Sequence, residues 1–180
     1  MSYSVFRFGG RKLTEAAAIS GARQSPGTKP RVDMDSHIPA LFVILGGKIG
    51  LHAMRHHARG LGLDLREWRI VQVLGSDGRS TIFAIADRIA MDRGGTSRSV
   101  ARLEKRGLVR REGDPADRRR SYVALTDKGW AVHDEIARFA LAREERLLRD
   151  FSPADSARLR RYLSALVAEA DAMIAEGWSP

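Results

Sequence analysis

The chain has 180 residues, 43% of them hydrophobic, and carries 31 Lys and Arg against 22 Asp and Glu for a net charge of +9. That apolar share can fill a core and excludes wholesale disorder, while the positive surplus calls for an anionic partner, nucleic acid or a membrane surface. With no Cys present, disulfides, Cys-based zinc sites and thiol redox sensing are excluded.

Residues 1–36 carry Gly9-Gly10, Pro26-Gly27, Pro30 and a surplus of Arg and Lys, with little apolar periodicity. They are expected to form a flexible basic extension; the competing reading is an arm or a helix, Leu13–Ile19, that touches DNA or a second subunit. Ala16–Ile19 is too short for the apolar core of a secretion signal. The longest apolar run, Ile38–Leu45, is interrupted by Pro39 and stops at Gly46, far short of the roughly 20 residues of a bilayer span. A cytoplasmic protein that does not engage membranes is expected.

From Ile38 the pattern turns helical. Ile38, Leu41, Phe42, Leu45 and Ile49 share one face, and Gly46 and Gly50 leave the helix thin on one side. A second helix is predicted from Asp64 to Leu74, with Leu65, Trp68, Val71 and Gln72 or Leu74 inward, ended by Gly75-Ser76-Asp77-Gly78. Ser80 or Thr81 caps a short helix, Ile82–Ile89. After a turn at Ala90-Met91, Asp92 is an N-cap residue for a helix reaching Arg106, and Gly107 stands where a left-handed C-terminal residue is wanted. Residues 108–112 and 121–125 read as strands joined by the charged turn Gly113–Arg120. Two long helices follow, one from Thr126 or Asp127 to about Arg149. The other starts at the cap Ser152 with Pro153 first in the helix, and carries an apolar stripe of Leu159, Leu163, Leu166, Val167, Ala170 and Ile174.

Short helix, turn, helix and hairpin in this order make a mainly α fold with a small β-hairpin wing, a winged helix-turn-helix. On a helical wheel Thr96, Val100 and Leu103 point inward, leaving Arg98, Arg102 and Lys105 outward, with Gly94 and Gly95 on that side of the first turn. A basic outer face with a small, polar first turn suits the major groove. Arg118-Arg119-Arg120 at a hairpin tip suits a minor groove, and Asp114 or Asp117 beside them can hold an arginine extended.

Met91–Val109, MDRGGTSRSVARLEKRGLV, and Asp114–Thr126, DPADRRRSYVALT, closely resemble the MarR family of bacterial regulators, whose pattern is a recognition helix ending in R-L-E-K-x-G-L-V and a wing of the form D-P-x-D-R-R. The resemblance implies a domain over residues 37–177, with a DNA-binding lobe at about 64–126 and dimerisation helices at about 38–60 and 127–177. It implies a homodimer on a pseudo-palindromic operator in double-stranded DNA. Arg93, Thr96, Ser97 and Arg98 would serve the major groove and Arg119 the minor groove, with Asp117 fixing the wing; Arg102 and Arg118 complete the expected DNA-binding set. Gly94-Gly95 departs from the small polar residues usual there, and implies either close backbone approach to phosphate or relaxed base readout.

The family resemblance also makes a small-molecule effector plausible. His52, His56, Trp68 and Arg69, cationic and aromatic, would suit an anionic aromatic ligand, against the plainer reading of core packing for Trp68 and exposed helix positions for the histidines. His52 and His56 share a face at i, i+4 but have no evident third ligand, so no metal and no cofactor is expected. No nucleophile–base pair or phosphate-binding loop occurs, so catalysis is not expected. A regulator, most simply a repressor, is the principal reading; the alternative is an architectural DNA-binding protein without sequence preference or effector.

Overall fold

The computed structural model describes residues 7–8, 11–12, 31–55, 60–114, 117 and 121–179. The expected flexible extension and the helix at Leu13–Ile19 lie almost wholly outside the described residues. Within that stretch β1 (Arg7–Phe8) and β2 (Arg11–Lys12) pair antiparallel, Arg7 opposite Lys12. The chain divides into two units, residues 1–44 and 45–180, so the boundary falls inside the first long helix, α1 (Ile38–Ala53).

The larger unit continues with α2 (Leu65–Asp77), β3 (Ser80–Thr81), α3 (Ile82–Arg88), α4 (Arg93–Lys105), β4 (Val109–Gly113), β5 (Ser121–Leu125), α5 (Asp127–Leu148) and α6 (Pro153–Glu176). Each helix from α2 onward starts at a residue whose short side chain accepts a hydrogen bond from an otherwise unpaired backbone N–H. These caps are Asp64, Thr81, Asp92, Thr126 and Ser152. At α2 the cap is reciprocal, the Glu67 carboxylate accepting from the Asp64 N–H while Asp64 accepts from the Glu67 N–H. Gly107, at φ 69°, follows α4 and turns the chain into β4.

Two expectations need correction. The helix α2 does not break at Gly75 but runs to Asp77, ending at Gly78 with φ 77°. Gly75 is there for a neighbour: a Cβ at this position would overlap the imidazole of His133 on α5. The wing, expected as two strands, is a three-stranded antiparallel sheet in the order β3-β5-β4. Ser80 and Thr81, extended ahead of α3, pair with Val123 and Tyr122, while β4 and β5 run in register from Val109–Leu125 to Gly113–Ser121.

The core gathers Trp68, Ile70, Val71 and Leu74 of α2, Ile85 of α3 and Ile89 at its end, Val100 and Leu103 of α4, and Ile136 of α5. The sheet and its approach add Leu108, Val109, Val123 and Leu125. Its effect is to hold α4 against α2 and α3 by one face and leave the other outside. Gly129 in the first turn of α5 lies so close to the chain entering β4 that a Cβ there would overlap the Leu108 carbonyl oxygen. The thin side of α1 is occupied in part, Leu65 approaching the Gly50 position at 3.5 Å. No described helix is long and apolar enough to cross a membrane.

Candidate nucleic-acid interface

The helix α4 begins where Ala90, at φ 51°, turns the chain out of α3. Asp92 then caps it, Oδ1 accepting from the Gly95 N–H at 2.5 Å. Of the residues expected to read DNA, Arg93 and Arg98 are exposed and Ser97 is half-buried. The Arg93 guanidinium lies over the Phe83 ring of α3, 4.0 Å from its centre, so it is held without being neutralised. Arg98 folds back along the first turn, Nη1 lying 3.5 Å from where a Gly94 Cβ would stand. Among the described residues Arg93, Arg98 and Lys105 form no ion pair, and three unneutralised cations on one helix suit a polyanion.

Thr96 and Arg102 do not join them. Thr96 is fully buried and its hydroxyl donates to the Asp92 carbonyl at 2.9 Å; the helical wheel had placed it inward, and the groove role implied by the resemblance is corrected. Arg102 is exposed but committed. Its Nε donates to Glu67 at 2.7 Å and its Nη2 to Asp64 at 2.6 Å and to the Ser99 hydroxyl at 2.9 Å. The hydrogen bond to Glu67, with the adjoining carboxylate charges, holds its guanidinium above the ordinary arginine value against the opposing effect of burial. Glu67 itself is only 4% exposed, so this is a fastening between α2 and α4 rather than a groove contact.

Further ties fix α4 and the wing. Arg106 donates to the carbonyls of Leu61 and Gly62, each at 2.7 Å. Arg111 pairs with Glu104 at 3.1 Å, and the Tyr122 hydroxyl donates to Asp114 at 3.3 Å. Asp117 is exposed on the loop; Arg118 and Arg119, expected to enter a minor groove, lie outside the described residues.

The four expected effector residues do not form one group. Trp68 is buried in the core, its ring edge-on to Phe139 of α5 at 6.3 Å. His52 of α1 stacks on the same Phe139 at 5.7 Å and 7°. Arg69 lines a different hollow of about 490 Å³ with Gln72, Ser76 and Arg88, and His56 lies outside the described residues. The residue missed is Arg143, one helical turn beyond Phe139, with its guanidinium 5.4 Å over that ring. Its Nη1 is buried with no hydrogen-bond partner among the described residues, and burial pushes its pKa below the ordinary arginine value. The signal was available: Phe139 and Arg143 stand at i, i+4 on a predicted helix, the spacing at which side chains meet. No cluster of three or more metal-ligating side chains occurs among the described residues.

A sequence model of the MarR family matches residues 61–120, which run from the approach to α2 to the end of the wing loop. The uncharacterized HTH-type transcriptional regulator YkoM of Bacillus subtilis is 30% identical over 92 residues, 51% of this chain and 60% of that protein. The match thus spans less than two thirds of that relative's length. The MarR/EmrR family transcriptional regulator of Acinetobacter sp. ADP1 superposes with a TM-score of 0.71 at 29% identity, covering 79% of this chain and all of that one. The PcaV transcriptional regulator of Streptomyces coelicolor, solved in complex with its natural ligand, shares the fold at a TM-score of 0.64 and 22% identity, over 79% of this chain and 99% of that one. With the capped helix α4, the three-stranded wing and the flanking long helices in the same order, the chain has the winged helix-turn-helix fold of these regulators, and its residues 61–120 are similar to the MarR family.

Proposed function

We propose that the protein is a cytoplasmic, sequence-specific regulator, most simply a repressor, that binds a pseudo-palindromic operator in double-stranded DNA as a homodimer. The observation that carries this reading is the outer side of α4, where Arg93 and Arg98 stand exposed and, among the described residues, free of ion pairs. Arg93, Ser97 and Arg98 enter the major groove, and Arg118 and Arg119 of the wing loop enter the minor groove with Asp117 steadying it. Arg98→Ala tests the assignment directly. It should cost about 1–3 kcal/mol on cognate DNA and relax sequence preference if Arg98 reads a base; equal losses on cognate and random duplexes would remove it from that role.

The dimer reading is supported by apolar side chains that a lone chain leaves in water. Leu163, Leu166, Val167 and Ile174 of α6 are exposed, Ile174 by 80%, as are Leu41, Phe42 and Leu45 of α1. Faces of this kind are ordinarily covered by a partner. Leu166→Glu should yield monomers or unfolded chains in sedimentation, and a stable DNA-binding dimer would refute this interface.

A small anionic aromatic effector is supported by the group around Phe139. A buried guanidinium nitrogen without an acceptor costs about 1–3 kcal/mol, and a carboxylate reaching Arg143 would offset that cost while its ring packs beside His52 and Phe139.

A further inference from the structure

The glycines at the start of α4 differ in their surroundings. Gly94 is exposed and has room for a side chain, its nearest neighbours being Arg98 Nη1 at 3.5 Å and Asp92 Oδ1 at 3.6 Å from a built Cβ. Gly95 is buried, and a Cβ there would overlap the guanidinium of Arg66 and come within 2.8 Å of Asp92 Oδ2. Arg66, in the first turn of α2, passes over this bare spot to reach Asp92, Nη1 to Oδ2 at 3.0 Å. Both oxygens of the cap are thereby engaged, Oδ1 by the Gly95 N–H and Oδ2 by Arg66. The two contacts, the amide first, hold the Asp92 carboxyl below the usual carboxylate range.

We propose that Arg66 is a positioning residue for operator recognition: it crosses α4 at Gly95 and locks the Asp92 cap, fixing the end of the helix from which Arg93, Ser97 and Arg98 project. This rests on α4 being the DNA-reading helix. The neighbouring residue on α2, Glu67, holds Arg102 two turns further along α4, so adjacent residues of α2 grip the recognition helix in its first turn and in its last. An ion pair with Asp92 largely in solvent adds little to global stability. Its consequence is geometric: side chains must be held within about 0.5 Å to discriminate partners, and the first turn is where a helix otherwise frays. The glycine is the condition for this arrangement. A methyl at position 95 and the Arg66–Asp92 pair cannot occupy the same space, and the flexible arginine is what gives way.

The test compares wild type, Arg66→Met, Gly95→Ala and the double variant in two measurements. Amide hydrogen exchange at positions 95 and 96 is read in the free protein, and the ratio of affinities for operator and scrambled duplexes is read by fluorescence polarisation, with thermal midpoints as a control. Each single variant should raise exchange at the first turn and lower the ratio by about fivefold or more, with little change in midpoint. The double variant should match the singles, since both remove one contact and coupled changes do not add. Additive effects would overturn the proposal. So would Arg66→Met weakening operator and scrambled DNA equally with a shallower salt dependence, which marks a phosphate contact. Unaltered exchange in Arg66→Met, with wild type still preferring its operator, defeats the positioning role alone. A wild type without any operator preference defeats the reading of α4 itself.

Discussion

Replacing Arg102 separates a structural arginine from a DNA-reading one. In wild type the Glu67 carboxylate, 5% exposed, is answered by Arg102 Nε at 2.7 Å, by the Asp64 N–H at 3.1 Å and more distantly by Arg106 at 3.8 Å. Arg102→Met keeps the aliphatic stem and removes the charge. Breaking a fully buried pair costs about 3–5 kcal/mol because the remaining charge is stranded. Here the Arg102 side chain is half exposed, so water enters, and the capping amide and Arg106 still answer Glu67. A loss of about 2 kcal/mol is therefore expected, which in a chain of this size lowers the thermal midpoint by about 4–8 °C. Urea unfolding followed by circular dichroism measures it, with an unchanged m-value showing that the denatured state is not the cause. Glu67→Gln should lose stability as well, and the pair should show coupling in a double-mutant cycle. An Arg102→Met protein of unaltered stability that has lost operator affinity would refute the reasoning and return Arg102 to the groove.

Gly129→Ala should destabilise by about 1–3 kcal/mol in the same unfolding assay, since the added methyl meets the Leu108 backbone rather than a movable side chain; a neutral result would mean that α5 and β4 separate freely. Phe83→Ala should weaken operator binding by a few-fold, the worth of a stacked cation at an exposed site being about 0.5–1 kcal/mol. Its effect on stability should be small because Phe83 is more than half exposed. Acid should release the α4 cap: a carboxyl with a depressed folded pKa contributes its stabilisation above the unfolded value and loses it as pH falls through the folded one. The Gly95 amide resonance should therefore titrate with a midpoint below Asp92's ordinary pKa of 3.8; a midpoint above that value would contradict the cap geometry.

What the sequence made legible was local. Asp92, Thr126 and Ser152-Pro153 announce helix starts because a cap needs only a short acceptor and the following amides, and Gly107 announces an end for a similarly short-range reason. The second wing strand, Ser121–Leu125, was placed to the residue, and the first was one residue early. What escaped depends on partners far along the chain. Ser80-Thr81 is a strand only because Tyr122 and Val123 lie beside it; alone it reads as a cap. Arg102 looks like any outward arginine until Glu67, 35 residues earlier, is brought beneath it. Gly95 suggested a surface bared toward DNA, yet its missing side chain makes room for Arg66. Within the effector group Trp68 and His52 meet at Phe139, a residue on a helix some seventy positions further on, and no spacing between Trp68 and Arg69 reveals that Arg69 faces another hollow.

The central claim is that the exposed face of α4, carried in two copies, reads a particular DNA sequence. A fluorescence-polarisation titration near physiological salt, comparing the duplex upstream of the protein's own gene with its scrambled counterpart, tests it most directly. Specific binding is predicted to exceed non-specific binding by about a thousandfold or more, with two chains per duplex. Equal and steeply salt-dependent binding to both duplexes, persisting across genome-wide site selection, would contradict it and leave an architectural protein.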